Sequence, residues 1–167
     1  MSTPASNPFP AIPDAPFWRP ITEEELTAYV GKAPPPGEMT LFPDWELALF
    51  SVTQRTGPRA TIVGWVQEPF AVNGFISERS GCYLGKLTHL PSGIGLGRFY
   101  TDACAARAAA VYAGCAAWAD KTRAPKPGLA LAFTGGLRAA GFVPGIVGSP
   151  ESGEETVWRG PTHGAAA

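Results

Sequence analysis

Between Gly81 and Trp118 the chain reads GCYLGKLTHLPSGIGLGRFYTDACAARAAAVYAGCAAW. No other stretch restricts the possible folds as much. Cys82–Leu90 and Ile94–Tyr100 are rich in branched and aromatic residues and flank Pro91-Ser92-Gly93, a turn sequence, so an antiparallel hairpin is expected. Thr101 then stands as N-cap to a helix running from Asp102 to about Asp120. Cys104, Ala108, Val111, Cys115 and Trp118 recur at four-three-four-three spacing and form one apolar stripe. The remaining positions are mostly alanine, which favours the helix and lets a second backbone come close. The expectation is a helix laid across a curved antiparallel sheet, with its second face free for a partner.

The residues before this stretch supply more strands. Trp45–Gln54 and Ala60–Gln67 read as a hairpin around Arg55-Thr56-Gly57-Pro58. Phe70–Ser77 is a weaker strand, interrupted by the turn pair Asn73-Gly74. Ile21–Lys32 reads as a short helix: Thr22 is an N-cap, Glu25 completes a capping box, and Gly31 with Pro34–Gly37 ends it. After the long helix, Lys121–Gly128 is a basic linker and Leu129–Phe133 is helix or strand. Leu137–Ala140 is a helical piece stopped by Gly141, and Val157-Trp158 suggests a last edge strand.

Residues 1–20 carry Pro at 4, 8, 10, 13, 16 and 20, a density that favours an extended backbone. Phe9, Ile12, Phe17 and Trp18 are interleaved with these prolines. Large apolar groups on an extended arm point either to docking on a partner or to packing on the arm's own domain.

With 167 residues and 45% hydrophobic content, the chain can bury a real core, which argues against wholesale disorder. The organisation expected is an arm (1–20), a single α+β domain (21–147) and a Gly/Ser/Glu-rich tail (148–167). The sheet is expected to be small, antiparallel and four- to five-stranded, covered by the one long Ala-rich helix. Charge is uneven: residues 1–50 balance at −5, 51–140 at +6 and 141–167 at −2. No basic cluster is dense, so a scattered, solvated distribution is the simpler reading and nucleic acid is not favoured as a partner. Cys82, Cys104 and Cys115 form no CxxC pair. On one helix Cys104 and Cys115 would stand about 16 Å apart, too far for a disulfide, and reduced thiols suit a cytoplasmic setting. The N-terminal residues lack the pattern of a secretory signal, and no apolar run reaches the length of a membrane span.

Candidate chemistry is sparse. His89 sits at a hairpin end near Ser92, with no acid close in sequence to orient it and no nucleophile motif, so a turn-anchoring role is expected. Two separated histidines and three scattered cysteines do not make a metal site. Glu154-Glu155 reads as solvated charge. Gly93-Ile94-Gly95-Leu96-Gly97-Arg98, ahead of a helix, could bring backbone N–H groups against a phosphate, although it matches neither a Walker loop nor GxGxxG.

Several pieces together resemble a GNAT-type N-acetyltransferase: Arg19-Pro20-Ile21-Thr22 before an acidic helix, Ile62-Val63-Gly64-Trp65, Leu87–Arg98 followed by an Ala-rich helix, and Leu137–Phe142. The resemblance implies acetyl-CoA as cofactor, with Gly95 and Gly97 cradling its pyrophosphate and Arg98 assisting. Ser92 stands where that family has Arg or Gln. A double-stranded-RNA-binding domain shares the helix–strands–helix order, but Asp102-Ala103-Cys104-Ala105-Ala106 lacks its lysines.

The expected function is non-catalytic, with no cofactor and no metal. It is that of a protein-interaction or assembly protein, for instance a phage or mobile-element accessory or virion component. Its partner is another protein or a second copy of the chain. Contact would run through the arm (Phe9, Ile12, Phe17, Trp18) and the Ala-rich helix. Acyl transfer from acetyl-CoA is the alternative.

Overall fold

The computed structural model describes residues 12, 16–29, 39, 42–53, 59–120, 135–151 and 153–161. One mixed sheet holds eight strands. They are β1 (Trp18–Pro20), β2 (Glu46–Val52), β3 (Ala60–Gln67), β4 (Phe70–Ile76), β5 (Tyr83–His89), β6 (Ile94–Phe99), β7 (Val143–Ser149) and β8 (Gly153–Arg159). Their order is β1-β2-β3-β4-β5-β6-β8-β7. Neighbours from β1 to β6 are antiparallel, as are β7 and β8. β6 and β8 are parallel and share one register pair, Phe99↔Trp158. The helices are α1 (Glu23–Tyr29), α2 (Asp102–Ala113) and α3 (Ala116–Ala119), with a further helical turn at 135–139.

This architecture corrects the expected small antiparallel sheet of four to five strands under one long helix. The arm contributes a strand of its own: Trp18, Arg19 and Pro20 pair with Phe50, Leu49 and Ala48. Proline is tolerated there because β1 is an edge, where a missing N–H removes no interior ladder bond. The C-terminal region contributes a full hairpin. Gly148 (φ +99°) and Gly153 (φ +112°) take the left-handed backbone its turn needs, and Val157 and Trp158 are buried beside it. Asn73-Gly74 does not turn the chain, since β4 runs through both residues in register with Lys86 and Gly85 of β5.

The long helix is two helices. Thr101 caps α2 as expected, its hydroxyl accepting from the Cys104 N–H at 3.0 Å. Gly114 ends it, and Cys115 adopts an extended backbone (φ −105°, ψ 123°) before α3. The alanine-rich second face is left open only at Ala110 and Ala113. Ala103, Cys104, Ala105, Ala106, Ala108, Ala109 and Tyr112 are all buried, because small side chains let the helix sink onto the sheet. Gly85 permits the closest approach: a Cβ there would lie 2.6 Å from the Thr101 carbonyl oxygen.

Three clusters of buried residues form among the described residues, the smallest around Leu49 and Val63. Under α2, Phe70, Val72, Leu87 and Phe99 pack with Ala105, Ala108, Tyr112, Trp118, Leu137 and Phe142. On the opposite face Ala48, Phe50, Val52, Val66, Ala71 and Leu90 are covered by Phe17 and Trp18. Each large side chain buried this way contributes about 1.5–3 kcal/mol of transfer free energy. The capping box of α1 forms as its sequence implies: Glu25 N–H donates to Thr22 Oγ1 and Thr22 N–H to Glu25 Oε1, each at 3.1 Å. Arg19 adds a two-pronged ion pair to Glu25, at 2.8 and 2.6 Å.

Candidate functional site: a cleft where two parallel strands part

Because β6 and β8 pair only at Phe99↔Trp158, the sheet opens on the N-terminal side of that pair along β8. The opening is a cleft of ≈ 880 Å³ lined by Phe75, Ile76, Ser77, Glu78 and Arg79 at the end of β4 and beyond, Arg98 of β6, Ile146 of β7, and Glu154, Glu155 and Thr156 of β8.

A polar latch lies across it. Glu155, with a side chain 4% exposed, pairs with the Arg98 guanidinium and accepts from the Ser77 hydroxyl. Burial disfavours its charge, but hydrogen bonds from Ser77, Ser80 and Arg98 outweigh burial and hold the carboxyl down to about 2. The reading of Glu154-Glu155 as solvated charge is therefore corrected at Glu155. Within strand alternation Glu155 takes an inward position beside buried Val157, and only the partners brought by β4 and β6 make that tolerable. Arg98 also lies over the Phe75 ring at 5.2 Å.

The backbone of β8 is itself part of the cleft. The Trp158 carbonyl accepts from the Tyr100 N–H at 3.1 Å on the β6 side. Successive strand residues alternate the side to which their N–H and C=O point, so Thr156 and Glu154 turn theirs to the same side. No strand pairs with them there among the described residues; a weak 3.4 Å contact from Arg79 to the Glu154 carbonyl is the one bond seen. Ile76 and Ile146, 63% and 69% exposed, are the apolar residues at the rim.

The residues singled out from sequence lie elsewhere or serve other ends. Phe9 falls outside the described residues. Ile12 packs against Leu49 and Val63, Phe17 lies under the Arg59 guanidinium at 4.3 Å, and Trp18 donates its indole N–H to Glu68; all three sit on their own domain. Residues 83–99 form an antiparallel hairpin with a bulge between Leu87 and Thr88. A Cβ at Gly97 would lie 3.4 Å from the Phe99 ring, and one at Gly95 would lie 2.7 Å from Lys86 Cε. The positive φ of Gly97 (+137°) and the lysine stem beside Gly95 account for these glycines, and Arg98 is bound to Glu155.

His89 is fully buried. Its Nε2–H donates to the Trp118 carbonyl at 3.2 Å, which leaves Nδ1 to accept from Ser92 Oγ at 3.0 Å. The ring meets Trp118 edge-on at 5.0 Å, anchoring the turn and α3 together. No cluster of metal-ligating side chains occurs among the described residues, and no helix among them is long and apolar enough to cross a membrane.

Ser77, Thr156, Ile76 and Ile146 were not singled out from sequence. The one available signal was Gly153–Arg159, where an acid falls at an inward strand position two residues before a buried valine. Scans of protein-family models, of curated proteins and of solved structures return no match to this chain.

Proposed function

We propose that this protein is a non-catalytic protein-interaction domain that takes an extended segment of a partner protein as an added strand on the open edge of β8. The observation that carries the reading is the single pair Phe99↔Trp158, which leaves the N–H and C=O of Thr156 and Glu154 facing a cleft rimmed by two exposed isoleucines. Strand addition draws its affinity from main-chain hydrogen bonds and its selectivity from apolar side chains beside the edge. Arg79, Arg98, Glu78 and Glu154 offer both signs of charge at the rim. The contact surface moves from the arm and α2 to the cleft, because Ile12, Phe17, Trp18 and most alanines of α2 are used in internal packing.

Amide hydrogen exchange with a peptide selected from a random display library tests this. In the free protein the amides of Glu154 and Thr156 exchange quickly, and the bound peptide protects both. Thr156→Pro removes a cleft-side donor while sparing the β7 ladder, and weakens binding by at least about fivefold. Protection of both amides in the free protein, or selected peptides indifferent to Thr156→Pro, would overturn the reading. Light scattering shows whether a second copy of the chain is the occupant.

A further inference from the structure

Away from the β8 cleft, the start of β2, the β3–β4 turn and the C-terminal half of α2 enclose a second groove, of ≈ 570 Å³. The ladder that sets Glu46 opposite Val66 brings the two strands together there. Trp18, Val66 and Phe70 give the groove apolar walls. On the helix side Ala110 and Ala113, the exposed alanines of α2, leave it room. Three carboxylates line it as well: Asp44 just before β2, Glu46 at the first position of β2, and Glu68 in the turn after β3.

The charge in this groove has one sign. No lysine or arginine among the described residues lines it. Neither Asp44 nor Glu46, both exposed, forms an ion pair with a described residue. Glu68 accepts from the Trp18 indole N–H, which holds its carboxylate on the groove wall. Acids gathered on neighbouring strands repel one another, and a cleft lined by one sign of charge concentrates the opposite ion. Among the described residues no such acids converge as metal ligands, so the three suit a cation whose charge is spread along its length. An adjoining hollow of ≈ 310 Å³ shares Asp44 and adds Arg107, and this base bounds the acidic stretch on that side.

We propose that this groove binds a linear aliphatic polyamine. Such a molecule alternates ammonium groups with short methylene runs, which matches walls that alternate carboxylates with apolar side chains. The ammonium groups donate to Asp44, Glu46 and Glu68, while the methylenes lie on Trp18, Val66 and the two open alanines. The groove has the volume of a small-ligand site and opens to solvent at Asp44 and Glu46. The site is independent of strand addition at β8, because it shares no residue with that cleft.

The test titrates the protein with spermidine, with magnesium chloride at equal charge and with tetralysine, reading the Trp18 indole N–H resonance and the heat of binding. Spermidine is expected to shift that resonance saturably, at one site, and to bind more tightly than magnesium or tetralysine. Ala113→Leu fills the groove without changing its charge and weakens spermidine at least about tenfold. It melts no lower than the parent, since the position is exposed and leucine is a good helix former. Glu46→Gln alters one exposed carboxylate, keeps the fold, and weakens spermidine about threefold. Thr156→Pro, which tests strand addition, leaves spermidine binding unchanged. Magnesium moving the Trp18 resonance as far as spermidine would mean simple screening of surface charge and would overturn the proposal. Tetralysine binding more tightly would overturn it in favour of a basic peptide. Parent-like spermidine affinity in either Ala113→Leu or Glu46→Gln would also overturn it.

Discussion

Glu155 and Arg98 form an ion pair that ties β8 to β6 beyond the one register pair the two strands share. The carboxylate is buried and the guanidinium part-exposed. Removing the acid therefore frees a cation that water can reach, while the Ser77 hydroxyl loses its charged acceptor. Glu155→Gln is expected to cost about 2 kcal/mol at neutral pH. The Glu155 carboxyl titrates lower in the folded protein, at about 2, than in the unfolded chain. Its contribution is thus complete above about pH 4.5 and is lost as pH falls toward the folded value. Urea unfolding across that window shows a steep acid limb for the parent and a shallower one for Glu155→Gln.

His89 titrates in the opposite chemical sense with the same pH direction. Burial lowers its pKa, outweighing the upward pull of the Trp118 carbonyl and Asp120. The unfolded chain therefore takes up a proton that the folded one resists. Stability is complete above about pH 6.5 and declines as pH drops below it. His89→Ala removes this component and, by leaving a cavity and losing the hydrogen bond to the Trp118 carbonyl, costs about 3 kcal/mol. Denaturant midpoints at neutral and mildly acidic pH check both parts.

Gly85→Ala should lift α2 from the sheet. The added methyl meets backbone atoms of Thr101 and Asp102 at 2.6 to 2.9 Å, which cannot rotate aside as a side chain can. A loss of about 1–3 kcal/mol is expected, with a lowered thermal midpoint as the readout.

Deleting residues 1–20 should destabilise the domain itself. Phe17 and Trp18 cover Phe50, Val52 and Val66, and β1 pairs along β2. Trp18→Ala alone is expected to cost about 2 kcal/mol, part-exposed as the side chain is. A truncated protein that unfolds at the same denaturant concentration as the parent would contradict this role for the arm.

Much of the local structure was legible in the residues. The hairpin around Pro91-Ser92-Gly93, the Thr101 cap and the Thr22/Glu25 box depend on contacts within a few positions, so short-range rules find them. The Ala60–Gln67 strand was legible for the same reason. Asn73-Gly74 misled because a turn pair is only a propensity, and pairing with Lys86 and Gly85 on β5 overrode it. The candidate site was almost invisible. Ser77 and Glu155 are 78 positions apart, and nothing local marks either one as the other's partner.

The sequence by itself determined the spacing of apolar residues, the capping and turn chemistry, and hence most elements as isolated pieces. It also determined that an alanine-rich helix packs close to whatever lies beneath it. Only the tertiary structure decided that the arm is an edge strand, that the last residues of the sheet form a hairpin, and that this hairpin joins β6 at a single pair. The physical reason is range: backbone preferences act over a few residues. Strand order and the burial of Glu155 come from contacts between elements that the chain keeps far apart.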